Sequence, residues 1–270
     1  MKKTLSIINF ELKSLNRFYI WWNIAWISMI LLIVPFYSSI SEESEKFGEL
    51  YENLPEGIRV AFSLDANTLS TIEGFINTEL VELLVLATSI LGLYFGARSI
   101  QREINNKSLL FLVTKPVSRF SIFFGKAKAV LISSFFANAV LFGFVYFAAE
   151  IMTTETISLL YVVSSFLVIM LYLFLYYSLG LMLGVLREGG SALGVGVVAV
   201  ISTFMFNIVS NLSDKADFLK YLTPYYYLDL KTVINDNVGI NLFNYFIILS
   251  ITVTFFIIGY LIFKNKDIDT

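Results

Sequence analysis

The sequence predicts an all-α integral membrane protein, a bundle of six transmembrane helices. Hydrophobic residues make up 57% of its 270 residues and charged residues only 15%, against about 25% charged residues in an average soluble domain. The mean hydropathy is +0.76. The apolar residues form long stretches, each close to the roughly 20 residues that a helix needs to cross about 30 Å of hydrocarbon. We therefore expect lipid to cover much of the apolar surface.

Six such stretches follow one another along the chain and are nearly free of charge. The predicted spans are Phe18–Ile40, Ile76–Ala97, Val130–Ala149, Ile157–Leu186, Ser191–Asn211 and Val238–Phe263. All three tryptophans lie in the first half of the first span, as expected of a residue that prefers the membrane interface. The fifth span contains Gly194 and Gly196, which allow close contact between helices.

An N-terminal helix, Lys2–Tyr19, is predicted to precede the first span. Its apolar residues, such as Leu12 and Leu15, gather on one side, and Lys13 and Arg17 lie elsewhere. This pattern predicts an amphipathic helix lying in the cytoplasmic interface. We expect no cleaved signal peptide, because the apolar run is longer than a signal core and no small-x-small cleavage site follows it.

The distribution of Lys and Arg predicts the orientation of the chain. Most of the 19 basic residues lie in the N-terminal helix, in the segment 98–128, at Arg187 and in the C-terminal tail. The alternate loops, which contain few of them, are 41–75, 150–156 and 212–237. Because basic residues accumulate on the cytoplasmic side, both termini are predicted to be cytoplasmic and these loops to be outside.

Two outer regions contain residues that function could use. Glu79 and Glu82 are three residues apart near the outer end of the second span, so they are expected to share one helix face. They are either interface residues favoured by the positive end of the helix dipole or groups that face a cation or substrate. The loop 212–237 is rich in aromatic residues, which predicts either a segment that dips into the membrane or a set of interface anchors.

The cytoplasmic segment 98–128 is the most informative part of the chain. Pro116 is expected to end one helix, and Ser118 can cap the next helix, which continues into the third span. The short apolar piece Leu109–Val113 therefore lies between two helices on the cytoplasmic side. Two interpretations remain open: an interfacial loop with the usual basic residues, or a docking helix for a soluble partner.

Composition limits the chemistry that the chain itself can perform. There is no Cys and no His, which excludes thiolate chemistry, imidazole acid–base catalysis and the usual zinc ligands. Glu79 and Glu82 are the only acidic residues within the predicted spans, so a membrane-embedded enzyme is the weaker alternative. A sensory or assembly subunit is another. A nucleic-acid role is not expected, because the membrane orientation already explains the basic residues.

The segment 98–128 also resembles the first cytoplasmic loop of ABC-2-type transporter permeases. It has the pattern R-x-x-x-R-E-x-x-x-K-S-L-L-F-L-V-T-K-P-V-S-R from Arg98 to Arg119, followed by Gly125-Lys126. Thr223–Tyr227 is similar to the element before the last span of that family, and Phe263–Ile268 is similar to its closing tail. The resemblance covers essentially the whole chain. It implies that residues 1–270 form a single transmembrane permease domain.

The resemblance implies an exporter subunit driven by a separate ATPase. The chain has no G-x-x-x-x-G-K-[ST] phosphate loop, so it is expected to bind no cofactor and no metal and to have no catalytic residue. ATP and Mg would be bound by two copies of an ABC ATP-binding subunit. A second permease chain, forming a homodimer or a heterodimer, and membrane lipid would be the other partners, in a bacterial cell membrane.

The resemblance also assigns candidate residues. A coupling helix in 99–115 and the turn at 187–190 would contact the ATPase. The expected contact residues are Arg102, Glu103, Lys107, Leu109, Leu110, Phe111, Leu112, Lys115, Pro116, Arg119, Arg187 and Glu188. Short extracellular re-entrant helices are expected before the last span. The candidate residues of the pathway and its outer mouth are Glu79, Glu82, Pro224, Tyr225 and Tyr226.

Overall fold

The fold consists of helices, six of them long and apolar enough to cross a membrane. The computed structural model describes residues 2–42, 53–61, 71–105, 118–186, 191–230, 233–234 and 241–266. Every regular element in these ranges is helical, and six helices there have the length and composition of membrane spans. The predicted fold class, an all-α six-span membrane protein, is confirmed.

Ten α-helices follow one another in the described ranges. They are α1 (Lys2–Ile33), α2 (Tyr37–Glu42), α3 (Glu56–Ala61), α4 (Ile72–Ile76), α5 (Glu82–Asn105), α6 (Arg119–Met152), α7 (Leu159–Leu186), α8 (Ser191–Leu212), α9 (Pro224–Tyr227) and α10 (Leu242–Asn265). A 3₁₀ turn joins α1 to α2 at Val34–Phe36, a π-helical turn joins α4 to α5 at Asn77–Val81, and a 3₁₀ helix spans Asp214–Leu222. The spanning helices are α1, α5, α6, α7, α8 and α10.

The N-terminal helix does not lie apart from the first span. Lys2–Tyr19, predicted as a separate interfacial helix, forms the beginning of the continuous helix α1. No Gly or Pro interrupts α1, and its apolar side packs against α6. Leu15 and Tyr19 are buried in a cluster that includes Val130 of α6. The segment predicted as a separate helix is therefore continuous with the first span, and its buried residues pack against a neighbouring helix.

α1 and α6 run side by side in the same direction. Near their starts, the Glu11 carboxylate lies 2.6 Å from Lys126 Nζ. Just past the C-terminal ends of the two helices, the Tyr37 hydroxyl donates a hydrogen bond of 2.8 Å to Glu155. α6 has 34 residues, about 51 Å at 1.5 Å per residue, so it extends well beyond the hydrocarbon. Ser118 caps it as the sequence predicts, accepting a 3.2 Å hydrogen bond from the backbone N–H of Ser121.

α7 is the central helix, and its contact with α5 depends on glycine. It packs against α5, α6, α8 and α10. A Cβ atom at Gly92 or Gly96 of α5 would overlap backbone carbonyl groups of α7, and a Cβ atom at Gly180 or Gly184 of α7 would overlap those of α5. The two helices therefore meet backbone to backbone through paired small-x-x-x-small motifs.

The close contact predicted for the fifth span is only partly present. Gly196 of α8 packs against the side chain of Leu93, whereas Gly194 has no atom of another residue within 4 Å of its Cβ position. The glycines that allow the closest backbone contact lie instead in the second and fourth spans. The motif was visible in the sequence at 92–96 and 180–184, but only the packing showed which pairs face each other.

Candidate functional site

The first candidate site lies where α5, α7 and α10 end and α6 begins. Most of the predicted ATPase contacts lie outside the described residues: Lys107, Leu109, Leu110, Phe111, Leu112, Lys115, Pro116, Arg187 and Glu188. Arg102 and Glu103 lie in the last turns of α5. Arg119 is the first residue of α6. The described residues therefore define the helix ends that flank both predicted contacts.

Arg119 binds the end of the last span. Its Nη1 donates hydrogen bonds to the carbonyl oxygens of Phe263 at 3.1 Å, Lys264 at 2.8 Å and Lys266 at 2.7 Å. The last carbonyl groups of a helix have no partner within the helix, and a positive charge there is favourable. Sequence reasoning had placed Arg119 among the ATPase contacts; in the structure this guanidinium nitrogen holds the C-terminal end of α10.

A second basic residue connects the same tail to α7. Lys266 Nζ donates a 2.9 Å hydrogen bond to the carbonyl oxygen of Val185, in the last turn of α7. Phe263 is only 2% exposed and stacks on Phe123 of α6, with 5.8 Å between ring centroids. The end of α10 is thus attached to the beginning of α6 and to the end of α7.

Both ends of the described chain lie at the same end of the bundle. Glu11, near the start of α1, pairs with Lys126 of α6, and the tail after α10 binds Arg119, seven residues before Lys126 on the same helix. Lys126 is 7% exposed, so this ion pair is largely removed from water. Sequence reasoning missed it, because a Lys in the cytoplasmic segment is fully explained by the membrane orientation.

At the opposite end, acidic side chains organise the start of α7. The Glu73 carboxylate accepts a 2.8 Å hydrogen bond from the backbone N–H of Ser158, and Glu150 accepts one of 3.2 Å from that of Ile157. Carboxylates at a helix N-terminus bind unpaired N–H groups and interact favourably with the helix dipole. At this end of the bundle, part of the acidic character therefore has a structural role.

Glu79 and Glu82 do not lie on one regular helix. Glu79 is within the π-helical turn Asn77–Val81, and Glu82 begins α5. Both side chains are partly buried. A π-helical turn changes the angle between residues, so a spacing of three no longer guarantees a shared face. Such turns occur frequently at functional sites.

The tyrosines of α9 have different environments. Pro224 is buried at the start of α9, and Tyr225 packs its ring against Tyr172 and Phe204, with centroid distances of 5.3 Å and 5.6 Å. Burial is the main cause that raises the pKa of Tyr225, and the nearby Tyr176 and Glu82 raise it further. Tyr226 is 40% exposed. The partly buried Tyr225 thus faces the bundle, while its neighbour Tyr226 faces outwards.

The neighbourhood of Tyr226 is an exposed cluster around Lys220. Lys220 Nζ lies 5.2 Å and 5.5 Å from the ring centroids of Tyr221 and Tyr226. It also donates a 2.8 Å hydrogen bond to Asp217, which raises the pKa of Lys220.

The 3₁₀ helix Asp214–Leu222 and α9 are short helices before the last span, as expected. Their re-entrant character stays a prediction.

The bundle has six helices of spanning length, and α5 and α6 extend past the predicted apolar spans at one end. This architecture fits a multi-pass membrane protein of the permease class. A family model described as "ABC-2 family transporter protein" matches residues 5–268. The chain belongs to the ABC-2 transporter family, and it is a permease subunit of an ABC transporter. Membership implies an ABC ATP-binding subunit as its partner. No curated protein matches the chain.

Proposed function

We propose that this permease exports a substrate from a bacterial cell, driven by ATP hydrolysis in separate ATP-binding subunits that bind its cytoplasmic end. The match to the ABC-2 transporter family over residues 5–268 carries this proposal. No large external domain for capturing a substrate is apparent in the sequence, which agrees with export. This chain would bind neither ATP nor Mg²⁺; the ATP-binding subunits would bind both.

The lengths of α5 and α6 support docking at the segment between them. α5 continues to Asn105 and α6 begins at Arg119, whereas the apolar spans were predicted to end at Ala97 and begin at Val130. At 1.5 Å per residue, the helices continue about 12 Å and about 16 Å beyond those limits. Both flanks of 106–117 therefore extend past the apolar spans, where a soluble subunit can reach the chain.

The exposure of three spans supports assembly with a second permease chain. In the most apolar stretch of each span, only 17% of the residues are buried in α1 and 22% in each of α8 and α10. The corresponding value is 61% in the span that contains α5. Exposed apolar side chains of this number need lipid or another protein to cover them. We infer that lipid covers part of this surface, and that an identical or similar permease chain covers the rest.

The positions of the helix ends support a cytoplasmic location for both termini. The start of α1 and the tail after α10 lie beside the first turns of α6, which begin in the basic segment 98–128. Since basic residues accumulate on the cytoplasmic side, we propose that this end of the bundle is cytoplasmic. The acidic turns around Glu73 and Glu150 would then face outwards.

The outer mouth of the pathway is proposed at the junction of α4, α5 and α9. Glu79, Glu82, Pro224, Tyr225 and Tyr226 are its candidate residues. The electrostatic influence of Glu82 on Tyr225 supports a common location for the two elements. The alternative role of Glu79 and Glu82, as interface residues at a helix N-terminus, predicts that Gln at both positions leaves transport and assembly unchanged.

Purification from the native host tests the proposal. A tagged chain in mild detergent is expected to retain a soluble subunit with nucleotide-binding motifs and ATPase activity. Leu110→Asp combined with Phe111→Asp should abolish this association, because charge would disrupt an apolar docking segment. Phe218→Asp, at a side chain 63% exposed at the opposite end, is the matched control and should retain the subunit. A chain that purifies alone, without ATPase activity, would contradict the proposal.

A further inference from the structure

The tail Phe263–Lys266 connects the cytoplasmic ends of three spans, and we name this segment the clasp. Its backbone accepts hydrogen bonds from Arg119 at the beginning of α6, at 3.1, 2.8 and 2.7 Å. Its Lys266 side chain donates one of 2.9 Å to Val185 at the end of α7. These contacts join residues 144 to 147 and 81 positions apart in the sequence.

Each of these hydrogen bonds joins a cation to carbonyl groups at the C-terminal end of a helix. Arg119 occupies the end of α10 and Lys266 the end of α7, where carbonyl groups lack helical partners. Charged donors make stronger hydrogen bonds than neutral ones, and the helix dipole adds to the attraction. Phe263, buried against Phe123, fixes the position of the clasp on α6.

The clasp lies between the two predicted contacts with the ATP-binding subunit. Arg119 follows the segment 106–117 by two residues, and Val185 precedes the turn at 187–190 by two residues. A force applied to either segment reaches the bundle through the helix end next to it. Because the clasp connects both helix ends to α10, displacement of one end must carry the other two with it or break these hydrogen bonds.

We propose that Arg119 and Lys266 are positioning residues for energy coupling, which keep the ends of α6, α7 and α10 together so that they move as one body. This inference rests on the proposed function, in which an ATP-binding subunit moves the cytoplasmic segments. In this role, neither residue would need to touch nucleotide or substrate. Arg119, predicted from the sequence as a direct ATPase contact, would therefore act through the end of the last span.

Distance measurements between pairs of spin labels test the clasp. The natural chain has no Cys, so introduced cysteines are the sole labelling sites. Lys128→Cys with Leu261→Cys reports the distance between α6 and α10, and Leu186→Cys with Leu261→Cys that between α7 and α10. All three side chains are exposed. We would measure both distances in the purified permease, alone and with its ATP-binding subunit, with and without a non-hydrolysable ATP analogue.

Each substitution is expected to affect one distance. With Arg119 and Lys266 intact, both distance distributions should stay narrow in every nucleotide state. Arg119→Gln should broaden the α6–α10 distance distribution and make it change with nucleotide. Lys266→Gln should have the same two effects on the α7–α10 distance distribution. Arg119→Lys keeps the positive charge but reaches less far than the guanidinium Nη1 that makes all three hydrogen bonds, so it should restore the narrow α6–α10 distribution in part. Lys264→Gln removes an equal charge from the exposed neighbouring side chain and is the matched control.

The clasp and the proposed function can fail separately. If the substituted chains give the same narrow, nucleotide-independent distributions as Lys264→Gln, the clasp does not hold the helix ends and the inference is wrong. If no ATP-binding subunit associates, the proposed function fails, while the distributions of the permease alone still show whether the helix ends are held together. If Arg119→Gln does not fold, Lys266→Gln, which leaves Arg119 and its three hydrogen bonds in place, decides the question through the α7–α10 distance.

Discussion

The carboxylate of Glu11 lies 2.6 Å from Nζ of Lys126, 115 residues further along the chain. The Lys126 side chain is 9% exposed and the Glu11 side chain 24% exposed. This ion pair joins the first helix to the third span near the start of both helices, with the lysine largely buried.

Breaking this pair should lower stability. Lys126→Met should cost about 1–3 kcal/mol, less than the ~3–5 kcal/mol of a fully buried pair because Glu11 is partly exposed. Replacing both residues, with Glu11→Met and Lys126→Met, should recover much of the loss, since neither charge is left without its partner. The midpoint of thermal unfolding in detergent measures the loss of stability and its recovery. A double variant as unstable as the worse single variant would show that the ion pair is not the cause.

The glycines between α5 and α7 should not tolerate a side chain. Gly96→Ala or Gly180→Ala places a Cβ atom against backbone carbonyl groups, and overpacking of this kind typically costs about 1–3 kcal/mol. Gly194→Ala is the control, because its Cβ position is open; it should be neutral or slightly stabilising, since Ala favours helix. Thermal unfolding and size-exclusion profiles of the three variants compare them. Equal stability of Gly96→Ala and Gly194→Ala would contradict the observed packing.

Tyr225 and Tyr226 should differ in what they contribute. Tyr225→Ala removes a ring packed against Tyr172 and Phe204 and should cost about 1–3 kcal/mol, less than the ~3–5 kcal/mol of a fully buried aromatic side chain, because Tyr225 is partly buried. Tyr226→Ala, at an exposed site, should change stability by less than about 0.5 kcal/mol.

A transport defect of Tyr226→Ala at normal stability would therefore support a role at the outer mouth. Transport is measured once the substrate class has been found by screening. The prediction fails if Tyr226→Ala unfolds as readily as Tyr225→Ala.

Labelling of introduced cysteines tests the orientation of the chain. A membrane-impermeant maleimide should label Lys215→Cys in intact cells, because this exposed residue precedes α9 on the predicted outer side. Asn265→Cys, exposed at the end of α10, should be labelled only after the membrane is made permeable. Labelling of Asn265→Cys from outside intact cells would reverse the proposed topology.

The sequence was a good guide to properties that depend on local composition. Length and apolar content gave six spans, and the side chain of Ser118 marked the start of α6 as it does in the structure. It was a poor guide to the N-terminal helix, whose amphipathic pattern fits both a membrane surface and a groove beside α6. The two environments bury the same face, so the pattern alone could not distinguish them.

At the candidate site too, the sequence predicted some features and missed others. The pattern from Arg98 to Arg119 was enough to indicate the family that the match over residues 5–268 establishes. It did not show that Arg119 binds the end of the last span, because a basic residue beside a span already has an explanation in the orientation rule. Glu73 was likewise visible only as one acid among many in an outer loop.

The sequence by itself determined that this chain is helical, crosses a membrane and belongs to the permease class. Crossing a bilayer requires length and apolar composition within each segment, and both can be read locally. The tertiary structure alone decided which glycines bring α5 and α7 together, where α1 packs, and that Arg119 and Lys266 bind the C-terminal ends of α10 and α7. Those contacts join residues about 80 to 147 positions apart, and side chains so distant in sequence meet only when the whole bundle has packed.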